Sequence, residues 1–281
     1  MHSKVQEVIQ IRSLWNFNFQ KNKIRMIKSI NKIYLTVAMI SMIICSCNLD
    51  LSHRDDSQTL FELKSPNQTS LIFSNKIVET NDLSVLGFNN MYMGGGISVG
   101  DINNDKLPDI FFTANQESNK LFLNKGNFQF EDITETSGIA GEVGYKSWST
   151  GTTMVDINND GFLDIYVCMI HGFKNLEGTN KLYINQGDNT FIESASKYGL
   201  DIKTYAHQAT FFDYDIDGDL DMFLLNQAMH TPNAYRPGKI RESRDKMSGD
   251  LLFKNENGEF IDVSEKAGIY GGPNGYGLGL N

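Results

Sequence analysis

The sequence predicts an all-β fold: a partial β-propeller of four-stranded blades, with about three blades and two partial ones. An acidic nine-residue motif occurs three times, and the first aspartates of its copies are 55 and 57 residues apart. Each copy lies between segments rich in β-branched and aromatic residues, and similar turn glycines follow it. Four antiparallel strands in a repeat of about 40–60 residues are typical of a propeller blade.

The first 46 residues are predicted to be a leader, within which Met26 is the expected true start. Lys28 and Lys32 make this start basic, and an apolar run at 33–44 follows them. The run is too short to cross a bilayer, which takes about 20 residues, and it suits the core of a signal peptide. Residues 47–58 are polar and acidic and are predicted to be a tether. The repeats then occupy residues 59–281.

The end of the leader, Ile44-Cys45-Ser46-Cys47, resembles the lipobox of bacterial lipoproteins. The resemblance implies that Cys47 is acylated and becomes the mature N-terminus, whereas Cys45 is removed. The protein would then be lipid-anchored and extracytoplasmic in a bacterial cell envelope, with the outer membrane or the cell surface as the expected location. The alternative is an ordinary secretory signal with incidental cysteines.

The acidic motif places carboxylates or amides at positions 1, 3, 5 and 9 of a short loop. This spacing suits one hard cation, and calcium takes about six to eight oxygen ligands. The backbone carbonyl of position 7 is expected to be a further ligand. We name the copies loop 1 (101–109), loop 2 (156–164) and loop 3 (213–221). The predicted metal ligands are Asp101, Asn103, Asp105, Leu107 and Asp109 in loop 1, Asp156, Asn158, Asp160, Phe162 and Asp164 in loop 2, and Asp213, Asp215, Asp217, Asp219 and Asp221 in loop 3.

The loops differ from EF-hands, which need a glutamate at position 12 and a following helix. Position 12 is Phe112, Val167 or Leu224, and strand-forming residues surround it. Each loop is therefore predicted to join two antiparallel strands. The alternative is a turn without metal, because Asp and Asn favour turns in any case. Loop 1 departs from the others at position 6, where Lys106 replaces glycine and puts the site in doubt.

Four strands are predicted in each repeat. The first strand enters the loop, the second leaves it, and the third begins at residue 120, 181 or 251. The fourth strands begin at Phe130, Phe191 and Phe260. The segment 61–71 resembles a fourth strand and 277–281 resembles a first strand. The propeller is therefore predicted to be open because the chain is truncated.

The three loops and their four-strand repeat resemble the FG-GAP/VCBS repeats of the integrin-α-like β-propeller. The stretches Gly94-Gly-Gly-Ile-Ser-Val-Gly-Asp101 and Phe130-Glu-Asp-Ile-Thr134 resemble a bacterial lipoprotein branch akin to cartilage acidic protein and ASPIC/UnbV proteins. The resemblance covers about residues 60–281. It implies a calcium-binding ring of about seven blades, of which this chain is an N-terminal fragment. It says little about activity, because one fold hosts many functions.

The composition argues against some classes of function. The net charge is −9, and the leader is basic, so the rest of the chain is more acidic still. Nucleic-acid binding needs the opposite charge. Two of the three cysteines lie in the leader, so no disulfide framework is possible, and Cys168 is expected to be a core residue. The chain has no phosphate loop, dinucleotide fingerprint or hydrolase nucleophile motif.

The leading interpretation is a non-enzymatic, calcium-stabilised binding or adhesion module on a membrane-anchored lipoprotein, with a glycan or a protein as partner. A long basic connection at 226–248 is expected on the face opposite the acidic loops, and connections of this length are often functional. The possible ligand-face residues are His171, Tyr235, Arg236 and Arg241. The alternatives are part of a secreted propeller enzyme acting on polysaccharide, and a structural scaffold for a missing C-terminal domain.

Overall fold

A computed structural model describes residues 60–88, 90–144, 146–229, 243–277 and 279–280. The chain divides into two units, Met1–Leu63 and Lys64–Asn281. In the first unit only residues 60–63 are described, and they form no helix or strand.

The second unit contains three four-stranded antiparallel sheets, each built from four consecutive strands. In all three sheets, each strand pairs only with the strands that directly precede and follow it in the sequence. This is the order of propeller blades, and the all-β prediction of an open partial β-propeller is confirmed. Blade 1 contains β1 (Ile97–Gly100), β2 (Asp109–Phe112), β3 (Lys120–Asn124) and β4 (Phe130–Asp132); blade 2 contains β5 (Ser149–Val155), β6 (Asp164–Met169), β7 (Lys181–Asn185) and β8 (Phe191–Glu193); blade 3 contains β9 (Ala206–Phe212), β10 (Asp221–Asn226), β11 (Leu251–Glu256) and β12 (Glu259–Asp262).

The predicted strand positions are confirmed, and the acidic loops connect the first and second strands of each blade. Gly100 pairs with Asp109, and Val155 pairs with Asp164, so each loop closes directly on its hairpin. The second strand of the middle blade, β6, is buried along its whole length. It lies between two other blades, which explains its continuous apolar sequence, because a strand covered on both faces need not alternate.

The core fills the spaces between neighbouring blades. Ile102 and Phe111 of blade 1 pack in one cluster with Ile165 and Val167 of blade 2. A second cluster joins blades 2 and 3 and includes Tyr166, which meets Phe211 edge to face at a ring-centroid distance of 5.7 Å. Cys168 is fully buried in this cluster, as expected, and burial raises the pKa of its thiol.

Threonine side chains join successive blades, from Thr113 just after β2 to β5 and from Thr150 of β5 to β9. The Thr113 hydroxyl donates to the Thr150 carbonyl at 2.5 Å, and the Thr150 hydroxyl donates to the Ala206 carbonyl at 2.8 Å. Glycine permits the close approach: a Cβ on Gly151 would lie 2.4 Å from the His207 carbonyl oxygen. The polar, small-residue character of the first strands thus serves the contact between blades.

Three short helices appear where the sequence predicted strands or turns. They are α1 (Pro66–Thr69), α2 (Thr134–Ser137) and α3 (Ala195–Tyr198). The latter two end at Gly138 and Gly199, whose φ angles of 76° and 72° are those of left-handed C-caps. No strand forms at 60–65, so the prediction of a fourth strand near Phe61 is wrong. Instead, the short helix α1 follows this segment, just as a short helix follows the fourth strand in blades 1 and 2.

The prediction of a first strand at 277–281 is also wrong for the residues that the structure describes there. Only an isolated bridge forms, between Gln227 and Tyr276. It corresponds to the bridge between Ile170 and Tyr205, which precedes β9 directly. Tyr276 therefore takes the position that comes just before a first strand, and the ladder does not continue beyond it in the described residues.

Candidate functional site

The three acidic loops share one backbone frame, which the aspartate at position 1 organises. In loop 2, Asp156 accepts hydrogen bonds from the backbone N–H groups of Asp160 at 3.0 Å and Gly161 at 2.9 Å, one on each carboxylate oxygen. Loops 1 and 3 repeat both bonds at the corresponding positions. Two N–H groups per carboxylate curl the loop and fix the first side chain of the motif.

The aspartate at position 9 is fully buried in all three loops and ties each loop to the third strand of its blade. Asp164 accepts from the backbone N–H of Ile157 at 3.1 Å through one oxygen, and from that of Asn185 at 2.8 Å through the other. Asp109 and Asp221 make the equivalent pairs of bonds. Burial raises the pKa of Asp164 to about 6, although the two N–H groups act in the opposite direction. Burial likewise raises the pKa of Asp109.

The asparagine at or next to the end of each third strand is a supporting residue that the sequence reasoning missed. The Asn185 side chain donates to the Leu163 carbonyl at 3.1 Å and to the Ile102 carbonyl at 2.8 Å, so it links loops 1 and 2. Its side-chain oxygen accepts from the backbone N–H of Gly187 at 2.9 Å. Asn124 and Asn255 hold the same place in their blades. The signal was present as an asparagine two or three residues before the turn glycine of every repeat.

The exposed end of each loop is formed by positions 3 and 5. In loop 2 the Asn158 side chain accepts from the backbone N–H of Asp160 at 3.1 Å and donates to the Asp160 carboxylate at 2.8 Å. Loop 1 has the same arrangement with Asn103 and Asp105. Loop 3 has two aspartates there, so its exposed end carries one more negative charge.

Lys106 does not change the backbone of loop 1. Its φ angle is 71°, in the left-handed region that Gly161 and Gly218 occupy at 91° and 98° in the other loops. Its backbone N–H donates to Asp101 at 2.7 Å, as the glycine N–H does elsewhere. The lysine thus adopts a glycine conformation at a cost of about 1 kcal/mol, and the loop keeps its frame.

The donor set of the loops fits calcium. Carboxylate and amide oxygens lie at positions 1, 3, 5 and 9, and the carbonyl of position 7 adds another oxygen. In loop 3, oxygens of Asp213, Asp215 and Asp221 lie within 4.8 Å of one another. Ligands on opposite sides of one calcium ion would be separated by about 5 Å, since each calcium–oxygen distance is roughly 2.3–2.6 Å. The position-7 residues Leu107, Phe162 and Asp219 lie on the same loops, and their part in metal binding stays a prediction.

The predicted ligand face is only partly described. Cys47, Tyr235, Arg236 and Arg241 lie outside the described residues. The partly buried His171 places its Nδ1 2.9 Å from the Gly178 carbonyl oxygen. Its ring therefore contributes to a local turn of blade 2.

Residues 75–88 and 90–93 cover part of the face opposite the loops, which the sequence reasoning did not foresee. The Val78 N–H donates to the Gln116 side chain at 2.7 Å, and Gln116 is only 9% exposed. Phe88 packs edge to face on Trp148, at a ring-centroid distance of 5.0 Å. The connection around Gln116 is therefore not a free ligand surface. Trp148 is a packing residue.

Consecutive four-stranded blades, each with an acidic loop between its first and second strands, define an acidic-loop type of propeller repeat. A model of the FG-GAP-like repeat family matches residues 101–167, from the start of loop 1 to β6. The predicted resemblance to the FG-GAP repeat group is confirmed by this match and by the relatives described next. No helix among the described residues has the length and apolar character that crossing a membrane requires.

The curated relatives that the chain matches are cartilage acidic proteins. Cartilage acidic protein 1 of Xenopus tropicalis is 30% identical over 181 residues, which are 62% of this chain and 26% of the relative. The Mus musculus protein of the same name is 28% identical over 162 residues, 56% of this chain and 24% of its own length. The Homo sapiens protein is 29% identical over 167 residues, 57% and 24% of the two chains. The chain spans about a quarter of the length of these relatives.

Proposed function

We propose that this chain is a calcium-stabilised, extracytoplasmic binding module that presents one face of its blades to a glycan or a protein. The three loops with one shared frame carry the proposal. Each frame fixes carboxylates at positions 1 and 9 by backbone N–H groups, and each leaves further oxygens at positions 3, 5 and 7. Clustered carboxylates repel one another. A divalent cation bound in each loop would remove this repulsion at the tip of the hairpin that the first and second strands form.

Within each loop the described residues would hold calcium with two kinds of ligand, those fixed by the fold and those at the exposed end. In loop 2, Asp156 and Asp164 are held in place by the fold, whereas Asn158 and Asp160 lie at the exposed end. The carbonyl of Phe162 completes the oxygen set. Bound calcium would neutralise the carboxylates and fasten the hairpin tip. The effect is structural, and no reaction is part of the proposal.

The acidic charge, the FG-GAP-like repeats and the likeness to cartilage acidic protein 1 support a binding role outside the cytoplasm. The proposed lipid anchor at Cys47 rests on the sequence at the end of the leader. At about 0.8 kcal/mol per buried CH₂, two or more acyl chains give stable attachment. Mass spectrometry of the mature N-terminus tests the anchor, and an unmodified peptide that contains Cys47 would refute it.

Calcium should raise the thermal stability of the protein. Extracellular calcium modules bind at about 10⁻⁴–10⁻³ M, so 10 mM calcium would add roughly 1.5–3 kcal/mol for each occupied loop. The measurement is the melting midpoint in EDTA, in 10 mM calcium and in 10 mM magnesium. The Asp160→Ala variant should lose part of the calcium shift, whereas Asp201→Ala, an exposed aspartate outside the loops, should keep all of it. The same midpoint in EDTA and calcium would show that the proposal is wrong.

A further inference from the structure

Loop 3 already contains a cation, which the chain itself supplies. Lys254 on β11 places its ammonium against the carboxylate of Asp215 and 3.1 Å from that of Asp217. These aspartates are positions 3 and 5 of the motif. The lysine side chain is 24% exposed, and those of the two aspartates are 26% and 38% exposed. The three groups therefore form a partly shielded ion-pair network at the exposed end of the loop.

Among the described residues, no lysine forms such an ion pair with the exposed end of loop 1 or loop 2. Lys254 directly precedes Asn255, whose backbone N–H binds the buried aspartate of loop 3. The residues before the equivalent Asn124 and Asn185 are Leu123 and Ile184, which pack in or against the core. Position 3 also differs, since it is Asn103 in loop 1 and Asn158 in loop 2 but Asp215 in loop 3. Compared with the other two loops, loop 3 therefore has an additional carboxylate and a lysine that contact each other.

We propose that Lys254 is an internal counter-ion of loop 3, which holds the exposed end of the loop without metal and weakens its affinity for calcium. The inference rests on the proposed calcium binding of the loops. A calcium ion ligated by Asp215 and Asp217 takes the oxygens that now face the ammonium, so the lysine must leave before or while the metal binds. Loops 1 and 2 have no such competitor in the described residues, and their acidic ends depend on an ion from solution.

Two consequences follow for how the blades respond to calcium. First, loop 3 keeps its shape when calcium is low, because its negative charge is balanced from within the chain. Second, the loop with the most carboxylates is not the loop with the highest affinity. Loops 1 and 2 therefore account for most of the calcium-dependent stability of the described blades, and loop 3 binds only when calcium is abundant.

The test replaces the lysine and measures metal binding at loop 3 alone. Tyr214 is position 2 of loop 3, where loops 1 and 2 have isoleucine, so terbium bound in loop 3 can be excited through this tyrosine. The Tyr214→Phe variant identifies the part of the luminescence that comes from loop 3. Calcium is then titrated against terbium to give its apparent affinity for the loop. In Lys254→Leu this affinity should rise by up to about fivefold, the factor that corresponds to about 1 kcal/mol for one surface ion pair.

The matched control is Lys120→Leu. Lys120 is also a third-strand lysine in an ion pair, with Asp132 at 2.8 Å, but it does not contact an acidic loop. It should leave the affinity of loop 3 unchanged, and Lys254→Arg, which keeps the charge, should stay close to the original protein. An unchanged or weaker affinity in Lys254→Leu would overturn the proposal, as would an equal gain in Lys120→Leu.

A second measurement separates this inference from the proposed function. In EDTA, Lys254→Leu should melt at a lower temperature than Lys120→Leu, because it leaves the carboxylates of loop 3 without their counter-ion. This outcome supports the internal counter-ion even if the original protein shows no calcium shift at all, in which case only the proposed function fails. Equal midpoints of the two variants in EDTA would count against Lys254 as a counter-ion.

Discussion

Loop 2 and loop 3 have the same backbone but balance their charge differently. In both, the first aspartate accepts two backbone N–H groups and the ninth is buried and tied to the third strand. At the exposed end, loop 2 has Asn158 beside Asp160, whereas loop 3 has two aspartates that contact Lys254. The hydrogen bonds that hold the loop backbone are therefore the same in both loops. The positive charge next to the exposed carboxylates differs, because only loop 3 has a lysine there among the described residues.

The comparison shows that a ligand count does not rank these loops. Loop 3 has aspartate at every odd position, and from the sequence alone it is the strongest calcium candidate. The lysine that opposes this ranking lies 39 residues from Asp215 and comes close only because β11 pairs with β10. Affinity depends on the charge that surrounds the ligands as well as on the ligands themselves.

The largest effect on the free energy of unfolding is expected at position 9, where both loops have a buried aspartate. Replacing the buried aspartate, by Asp164→Ala or Asp221→Ala, leaves two buried backbone N–H groups without their charged acceptor. Each variant should lose about 3–5 kcal/mol of unfolding free energy in EDTA, because bonds to a charged group are worth about 1.5–3 kcal/mol each. Urea denaturation measures the loss.

The control for the buried aspartates is the exposed Asp160→Ala, which should cost much less in EDTA. A loss in Asp164→Ala no larger than in Asp160→Ala would show that position 9 does not tie the loop to the third strand. Clearly unequal losses in Asp164→Ala and Asp221→Ala would mean that the two frames are not equivalent.

Local sequence patterns were sufficient to predict the positions of the strands and the acidic loops. Contacts between segments that are distant in the sequence could not be predicted from these patterns. The twelve strands follow from turn glycines and alternating apolar residues, and the loops follow from the spacing of five oxygen-bearing positions. The short helix α3 was missed because four residues, 195–198, carry no helical period. Residues 75–88 and 90–93 were missed because they form no helix or strand and cover Trp148 only through tertiary packing.

The second largest effect concerns pH and the buried carboxylate of loop 2. The pKa of Asp164 is raised to about 6 by burial. In EDTA, a raised folded-state pKa means that proton uptake stabilises the fold at low pH, and this contribution is lost as the pH rises through 6. Calcium needs the deprotonated carboxylate, so its affinity for loop 2 should fall as the pH drops below 6, by about tenfold between pH 7 and pH 5.

The measurement is the calcium-induced shift of the melting midpoint at pH 7.5, 6 and 5. The shift should be largest at pH 7.5 and smallest at pH 5. The Asp164→Asn variant, whose side chain does not titrate, should lose the part of the pH dependence in EDTA that belongs to this group. A calcium shift that is the same at pH 7.5 and 5 would contradict the raised pKa of the buried carboxylate.

The smallest effect concerns position 4, where the two loops share a backbone conformation but differ in side chain. Asn159 has a φ angle of 57° and Ile216 one of 63°, both in the left-handed region. Asparagine adopts this region readily, whereas a β-branched residue is strained there by about 1–2 kcal/mol. Ile216 is 89% exposed, so its replacement costs little packing. Ile216→Asn should therefore stabilise the protein by about 1 kcal/mol, and Asn159→Ile should destabilise it by a similar amount.

Urea denaturation in EDTA and in calcium checks the exchange. The matching Asn104 of loop 1 is a poor comparator, because its side chain donates to the Gly161 carbonyl at 3.0 Å and its loss would remove a bond between loops 1 and 2. A gain in Ile216→Asn that appears in both conditions assigns the strain to the backbone, because metal binding is then not the source of the gain. A loss of stability in Ile216→Asn would mean that the isoleucine contributes to the fold through its side chain, and that loops 2 and 3 do not share one frame at this position.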